Sequence, residues 1–95
     1  MKAASLIANM LFDGDGIELD RTKAAVYFKL AADDGDEESI FKFANILFRG
    51  IGIPSNMQEA SLYFKKSIEK GNIEAMRIYG KMLFYGDGVE MNQDE

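Results

Sequence analysis

The chain has 95 residues, of which 47% are hydrophobic and 28% charged, a composition typical of a folded domain rather than a disordered one. Its 16 acidic and 11 basic residues give a net charge of -5, which argues against nucleic acid as a partner because phosphate binding needs clustered Lys and Arg. Cysteine and histidine are both absent, which excludes disulfides, thiolate zinc sites and the usual general base at neutral pH.

The first predicted helix ends at a Gly-x-Gly turn that recurs along the chain. Gly14 and Gly16 are followed by Ile17, and the same arrangement returns at residues 50–53 and 86–89, so the period is 36 residues. Glycine readily takes the positive φ angles that a tight reversal needs. The residues before each turn also recur, as Ala8, Ala44 and Gly80, then Leu11, Leu47 and Leu83, then Phe12, Phe48 and Phe84.

This period divides a single domain, residues 1–95, into three units. They span residues 3–38, 39–74 and 75–95, the last of them incomplete. Each unit is predicted to contain a helix A before the Gly-x-Gly turn and a helix B after it. We therefore expect an all-α fold of tandem antiparallel helix-turn-helix repeats that forms a short α/α superhelix.

Helix A shows its period most clearly in the second unit, where it is predicted over residues 39–48. Ile40, Phe43, Ala44 and Leu47 follow the i, i+3, i+4, i+7 spacing of one apolar helical face. We expect the leucine of this face to lie in the core of every unit, at Leu11, Leu47 and Leu83.

Helix B is bounded by residues that cap and end helices. Asn56 is predicted as the N-cap, with Glu59 reaching back to it in a capping box, and Gly71 ends the helix in the left-handed conformation. The equivalent residues are Asp20 and Asn92 as N-caps and Gly35 as the end of the first helix B, while Asp36 and Asn72 are predicted to cap the following helix A.

Together these residues resemble the Sel-one-like repeat, a relative of the tetratricopeptide repeat. The pattern's fixed positions in the first unit are held by Gly14, Gly16, Ile17, Asp20, Lys23, Ala24, Tyr27, Ala31, Ala32, Gly35 and Asp36. The chain departs from the pattern where leucine replaces the tyrosine of helix A and where Ser67-Ile68 replaces a double alanine. The resemblance implies an adaptor that assembles protein complexes.

The acidic turns have alternative interpretations. Residues 13–18 suggest a calcium loop, but Ile17 and Glu18 stand where an EF-hand needs an oxygen ligand and a glycine, so a plain turn is favoured. Residues 33–38 contain five carboxylates, which are interpreted as a solvated turn, or alternatively as a contact for a basic partner or a weak cation site.

Candidate binding residues follow from analogy with tetratricopeptide-like stacks, in which helix A lines the concave side. Asparagine amides would bond a peptide backbone, phenylalanines would supply apolar contact, and cations would favour an acidic peptide. Core packing under the turn is the alternative role of the phenylalanines. The candidates are Asn9, Asn45 and Lys81, with Phe41 and Arg77 one turn away and Phe12, Phe48, Phe84, Arg49 and Tyr85 on the other side.

The expected function is a protein–protein interaction module or scaffold that binds a peptide or protein on its concave face, without catalysis, cofactor or metal. No apolar run approaches the ~20 residues of a membrane span and no secretory signal is recognised, so we expect a cytoplasmic location. The alternative is a self-assembling structural repeat, or an excerpt of a larger adaptor in signalling or protein quality control. Neither terminal unit has the polar outer face that a repeat stack needs, which favours homo-oligomers formed through the ends.

Overall fold

The computed structural model describes residues 2–85, which form five α-helices and, over that range, no strand. The helices are α1 (Lys2–Asp13), α2 (Arg21–Asp33), α3 (Glu37–Arg49), α4 (Met57–Glu69) and α5 (Ile73–Tyr85). The predicted all-α repeat fold is confirmed, and the helix predicted over residues 39–48 extends over 37–49. Gly86, Gly88 and Asn92, which carried predictions for a third turn and cap, lie outside the described residues.

The helices form two layers, between which the chain passes back and forth. Each helix packs against the next one in the chain. Lys42 Nζ donates to Asn9 Oδ1 at 2.7 Å, which joins α3 to α1, and Tyr63 OH donates to Asp33 Oδ1 at 2.7 Å, which joins α4 to α2. The A helices α1, α3 and α5 therefore share one layer and the B helices α2 and α4 share the other.

The Gly-x-Gly turn of the second unit also makes a contact between repeats. Gly50 ends α3 with a φ of 71°, and its N–H donates to the Ile46 carbonyl at 2.7 Å. Gly52, with a φ of 81°, lies so close to α2 that an added Cβ would be 2.6 Å from the backbone carbon of Arg21. Its carbonyl accepts a hydrogen bond from Thr22 Oγ1 at 2.7 Å. Glycine is thus required at position 52 both for its φ angle and for the close approach of the preceding unit.

The predicted caps are confirmed, but the capping box is not. Asp20 and Asn56 accept from the backbone amides three residues on, at 3.1 and 3.0 Å. Glu59 meets the side-chain amide of Asn56 at 3.4 Å, because the Asn56 backbone N–H donates instead to the carbonyl of Leu47 at 2.9 Å. Asp36 and Asn72 cap the next helices A, and Gly35 and Gly71 have the predicted positive φ angles of 97° and 91°.

The core consists of alanines that let helices approach and phenylalanines that fill the remaining space. Ala8, Ala24, Ala44 and Ala60 are fully buried, as is Phe64. Small side chains at the contact allow short distances between helix axes, and the phenylalanine of helix B then fills the gap to its neighbours.

The recurring leucine of helix A is buried in only two of the three units. Leu11 and Leu47 are in the core as predicted, but Leu83 is 39% exposed, so its prediction was wrong. Its side chain occupies the face that α4 covers in the second unit, and no helix covers this face of α5 within residues 2–85. Met82, on the same helix, is fully buried because α5 packs on α4.

Ser67 has a buried hydroxyl without a hydrogen-bond partner among the described residues. The equivalent residue of the first unit is Ala31, which is also fully buried. Since a buried unbonded hydroxyl is costly, we expect Ser67→Ala to raise the free energy of unfolding by about 1 kcal/mol in urea titrations.

Ser39 supplies the matched control for this substitution. It is as buried as Ser67, but its hydroxyl donates to Asp36 Oδ2 at 2.6 Å. Ser39→Ala should therefore lower the free energy of unfolding. A loss of stability in Ser67→Ala as large as that in Ser39→Ala would show that the Ser67 hydroxyl is bonded after all.

Candidate binding face

The predicted binding residues all lie on the A helices α1, α3 and α5. We call this surface the helix-A face and define it by the candidate residues whose side chains the structure describes. The half-buried members are Asn9, Phe12, Phe41, Asn45 and Phe48, and the exposed members are Arg49, Arg77, Lys81 and Phe84. The side chain of Tyr85 lies outside the described residues.

The two asparagines are held in fixed orientations. Asn9 Nδ2 donates to the Ser5 carbonyl at 2.9 Å, while its oxygen accepts from Lys42. Asn45 Oδ1 accepts from Arg49 Nε at 3.1 Å. The Nδ2 group of Asn45 has no partner within residues 2–85, so it can donate to a peptide carbonyl.

The cations of this face differ in how they are paired. Arg77 lies 4.0 Å from Glu74, an exposed pair that contributes little, whereas among residues 2–85 Arg49 is bonded only to the neutral Asn45 amide. Lys81 is exposed and has no ion-pair partner in the part of the chain that the structure describes. Arg49 and Lys81 therefore retain charge that a carboxylate could neutralise.

We add Lys42 to the helix-A face, although it was not predicted from the sequence, because it bonds Asn9 of that face. Its amine bonds Asn9, lies 3.6 Å from Glu38 and sits 5.6 Å from the centre of the Phe28 ring. The 36-residue period does not point to Lys42, because the equivalent residues are Leu6 and Ile78 and no charge recurs at this position.

The phenylalanines of helix A pack against the core and keep one edge exposed. Phe12 meets the buried Phe28 edge to face with ring centres 6.1 Å apart, and Phe48 meets Phe64 in the same way at 6.0 Å. Phe41 also contacts Phe64, at 6.1 Å. Phe84 differs because 70% of its surface is exposed. Three of the four rings thus serve packing first and offer a ligand only a partial surface.

A cleft of about 170 Å³ opens between α1, α2 and α3. Its walls are apolar and its rim carries charged and amide groups. The lining residues are Phe12, Phe28, Ile46 and Ile51 in the walls, with Asp13, Lys42 and Asn45 beside them. Phe12 and Asn45 were predicted as binding residues, while the others were not, because the cleft forms only when two units pack together.

Two groups within residues 2–85 have shifted pKa values. These groups, Asp33 and Tyr63, bond each other at the seam between α2 and α4, away from the helix-A face. Residues 2–85 bring together no cluster of acidic side chains able to hold a metal ion. Over the same range, no helix has the length and apolar character needed to cross a bilayer.

The Tyr63–Asp33 bond links two repeats and should make stability depend on pH. The hydrogen bond from Tyr63, aided by Lys29, lowers the pKa of Asp33 below its usual value of 3.8, although burial opposes the shift. Burial and Asp33 raise the pKa of the Tyr63 hydroxyl far above its ordinary value. A lowered carboxyl pKa stabilises the fold above the pKa of the unfolded chain, and this contribution is lost as pH falls through the folded value.

We therefore expect Tyr63→Phe to lower the free energy of unfolding by about 1 kcal/mol at pH 7, the usual net value of a hydrogen bond, and by less below pH 3.8. Urea titrations of both proteins at pH 7 and at a pH below 3.8 measure how this loss of stability changes with pH. Tyr27→Phe is the matched control, since Tyr27 holds the same repeat position and its hydroxyl makes no such bond within residues 2–85. A penalty for Tyr63→Phe that does not change with pH would contradict this account.

Comparison with known proteins supports the repeat assignment. Residues 2–36, 38–72 and 73–95 match the family model described as the Sel1 repeat, which confirms the resemblance inferred from the glycine spacing. A comparison with curated proteins finds no match.

Solved structures with the same fold include longer proteins. A Sel1 repeat protein from Oxalobacter formigenes is 25% identical, with a TM-score of 0.89, over 94% of this chain and 37% of that one. A protective antigen present in uropathogenic Escherichia coli strains is 27% identical, with a TM-score of 0.90, over 96% of this chain and 20% of that one. Helicobacter pylori cysteine rich protein B, at 22% identity and a TM-score of 0.76 over 81% and 58%, shares the fold. The chain spans less than two thirds of each.

Proposed function

Because the chain belongs to the Sel1 repeat family, we propose that it is a non-catalytic scaffold that binds a protein or peptide along the helix-A face. Sel1 repeat proteins are generally protein-interaction scaffolds. The observation that carries the proposal is the row of oriented amides, unneutralised cations and half-exposed rings along one layer of helices. Such a row suits a peptide that lies across successive repeats.

The charge of this face favours an acidic partner. Glu38 and Glu74 are each near a cation of the same face, whereas no carboxylate within residues 2–85 pairs with Arg49 or Lys81. The face is therefore locally positive in a chain whose net charge is -5. Charge complementarity of this kind governs the choice of partner and the association rate more than the final affinity.

The proposal is tested with arrays of acidic, neutral and basic nonapeptides whose ends are blocked. The doubly substituted protein Asn45→Ala/Lys81→Ala should bind the acidic peptides about tenfold more weakly than the unchanged chain, a loss of roughly 1.4 kcal/mol. Lys23→Ala/Gln58→Ala, two exposed positions on α2 and α4, is the matched control and should bind normally. Equal binding by all three proteins would remove the helix-A face as the binding surface.

A second candidate function is self-assembly through the outer helices. On α1, Leu6 and Ile7 are 63% and 38% exposed, and on α5, Met76 and Leu83 are 50% and 39% exposed. Apolar surfaces of this kind mark contacts with other chains. Light scattering over a concentration series tests it: Leu6→Glu should reduce any association, and a constant monomer mass at every concentration would contradict it.

A further inference from the structure

The cleft between α1, α2 and α3 has the size and lining of a pocket for one large apolar side chain. Its volume is about 170 Å³ and its walls come from Phe12, Phe28, Ile46 and Ile51. An apolar cavity of about 150 Å³ is large enough to hold a benzene ring. Phe28 and Ile46 are already buried, so the cleft presents a firm floor rather than side chains that must move.

The rim of the cleft places opposite charges at different ends. Lys42 is bonded to Asn9, which precedes Asp13 on α1 by four residues, about 6 Å along the helix axis. The Lys42 side chain is 39% exposed, and its ammonium has three donors, one of which is used by Asn9. Glu38 lies 3.6 Å away, but it is itself exposed and such a pair contributes little. Lys42 can therefore donate to a ligand carboxylate in place of Glu38, while Asp13 repels a carboxylate at the other end of the cleft.

The equivalent positions in the next pair of units show which features are specific to this cleft. The edge-to-face pair recurs there as Phe48 and Phe64, so the aromatic floor is a property of the repeat. The rim does not recur: Arg49 takes the place of Asp13, and Ile78 takes the place of Lys42. Repeats that share a floor but differ at the rim can distinguish ligands by the charges next to the inserted side chain.

We propose that this cleft is a specificity subsite, which takes a phenylalanine or leucine side chain of a bound peptide while Lys42 pairs with an adjacent Asp or Glu of the same peptide. The inference rests on the proposed function, because the cleft opens on the helix-A face and selects among peptides bound there. It assigns to Lys42 and Ile51 a role in choosing the ligand, in addition to any role in packing.

The repeat itself supplies substitutions that the fold accepts. Lys42→Ile introduces the residue that α5 carries at the equivalent position, and Ile51→Asp introduces the residue found at Asp15 in the first turn. The first removes the cation of the rim, and the second removes an apolar wall. Thermal melting of both variants establishes that each is folded before binding is measured.

The probes are end-blocked, fluorescein-labelled nonapeptides with Phe, Leu, Ala or Ser at the centre and Glu, Gln or Lys on one flank. Fluorescence polarisation should show that the unchanged chain prefers Phe or Leu over Ala about tenfold, and Glu over Lys by a similar factor. Lys42→Ile should abolish the preference for Glu over Lys on the flank and keep the preference for Phe or Leu over Ala at the centre. Ile51→Asp should abolish the preference for Phe or Leu.

The outcomes separate this inference from the proposed function. In one outcome, acidic peptides bind the unchanged chain and bind the Asn45→Ala/Lys81→Ala protein more weakly, but Lys42→Ile and Ile51→Asp leave the peptide preferences unchanged. The cleft is then not a subsite, and the helix-A face remains the binding surface. If no peptide of either array binds, both the subsite and the proposed peptide-binding function are overturned.

Discussion

Gly52→Ala is expected to lower the free energy of unfolding by about 2 to 5 kcal/mol, because two separate costs apply at this position. The φ angle of Gly52 is 81°, a conformation that residues with a Cβ rarely adopt. The new Cβ would also lie 2.6 Å from the backbone carbon of Arg21, and the backbone of a helix cannot yield as a flexible side chain would. Relief of the clash must separate the turn from α2 and weaken the Thr22 bond to the Gly52 carbonyl.

Two other alanine substitutions separate these costs. Gly71 has a φ of 91° but open space around its missing Cβ, so Gly71→Ala measures the conformational cost by itself, about 1 to 3 kcal/mol. Gln58 is exposed on α4, and Gln58→Ala should change stability by less than about 0.5 kcal/mol. Chemical denaturation should therefore rank the losses as Gly52, then Gly71, then Gln58. Equal losses for the two glycines would show that the contact between Gly52 and α2 does not constrain the fold.

Local features of this fold were predictable from the sequence because they depend on neighbouring residues in the chain. The caps at Asp20 and Asn56 and the positive φ angles at Gly35 and Gly71 follow from residue type and position alone. The capping box failed for a tertiary reason. The backbone amide that Glu59 would have bonded is used by the carbonyl of Leu47, on the preceding helix.

Features that depend on contacts between units were not predictable from the period. Periodicity treats equivalent positions as alike, whereas the burial of Leu83 or Met82 depends on which helices lie beside α5. Lys42 was missed for the opposite reason, because it breaks the period and so appeared as an ordinary surface charge. The candidate face was thus predictable where residues recur, as at Asn9 and Asn45, and unpredictable where one unit differs from the others.

The difference between recurring and non-recurring residues also separates the residues that stabilise the stack from the candidate binding residues. Recurring residues such as Ala44 and Phe64 are buried and set the spacing between helices. Residues that differ between units, such as the half-buried Lys42 and the exposed Lys81, reach the surface of the A helices, where our proposal assigns them to the ligand. A search of related repeats for binding residues should therefore begin at positions of helix A where the units differ.

The two leucines that hold the same repeat position give the sharpest test of how neighbours determine stability. Leu47→Ala should lower the free energy of unfolding by about 2 to 5 kcal/mol, because the side chain is 3% exposed and its removal leaves a cavity between α3 and α4. Leu83→Ala should cost about 1 kcal/mol or less, since 39% of that side chain already contacts solvent and little cavity forms. Urea denaturation followed by circular dichroism measures both losses in the same chain. Equal losses would mean that Leu83 is covered in solution, either by another copy of the chain or by residues beyond 85, and light scattering on the same samples would distinguish these two cases.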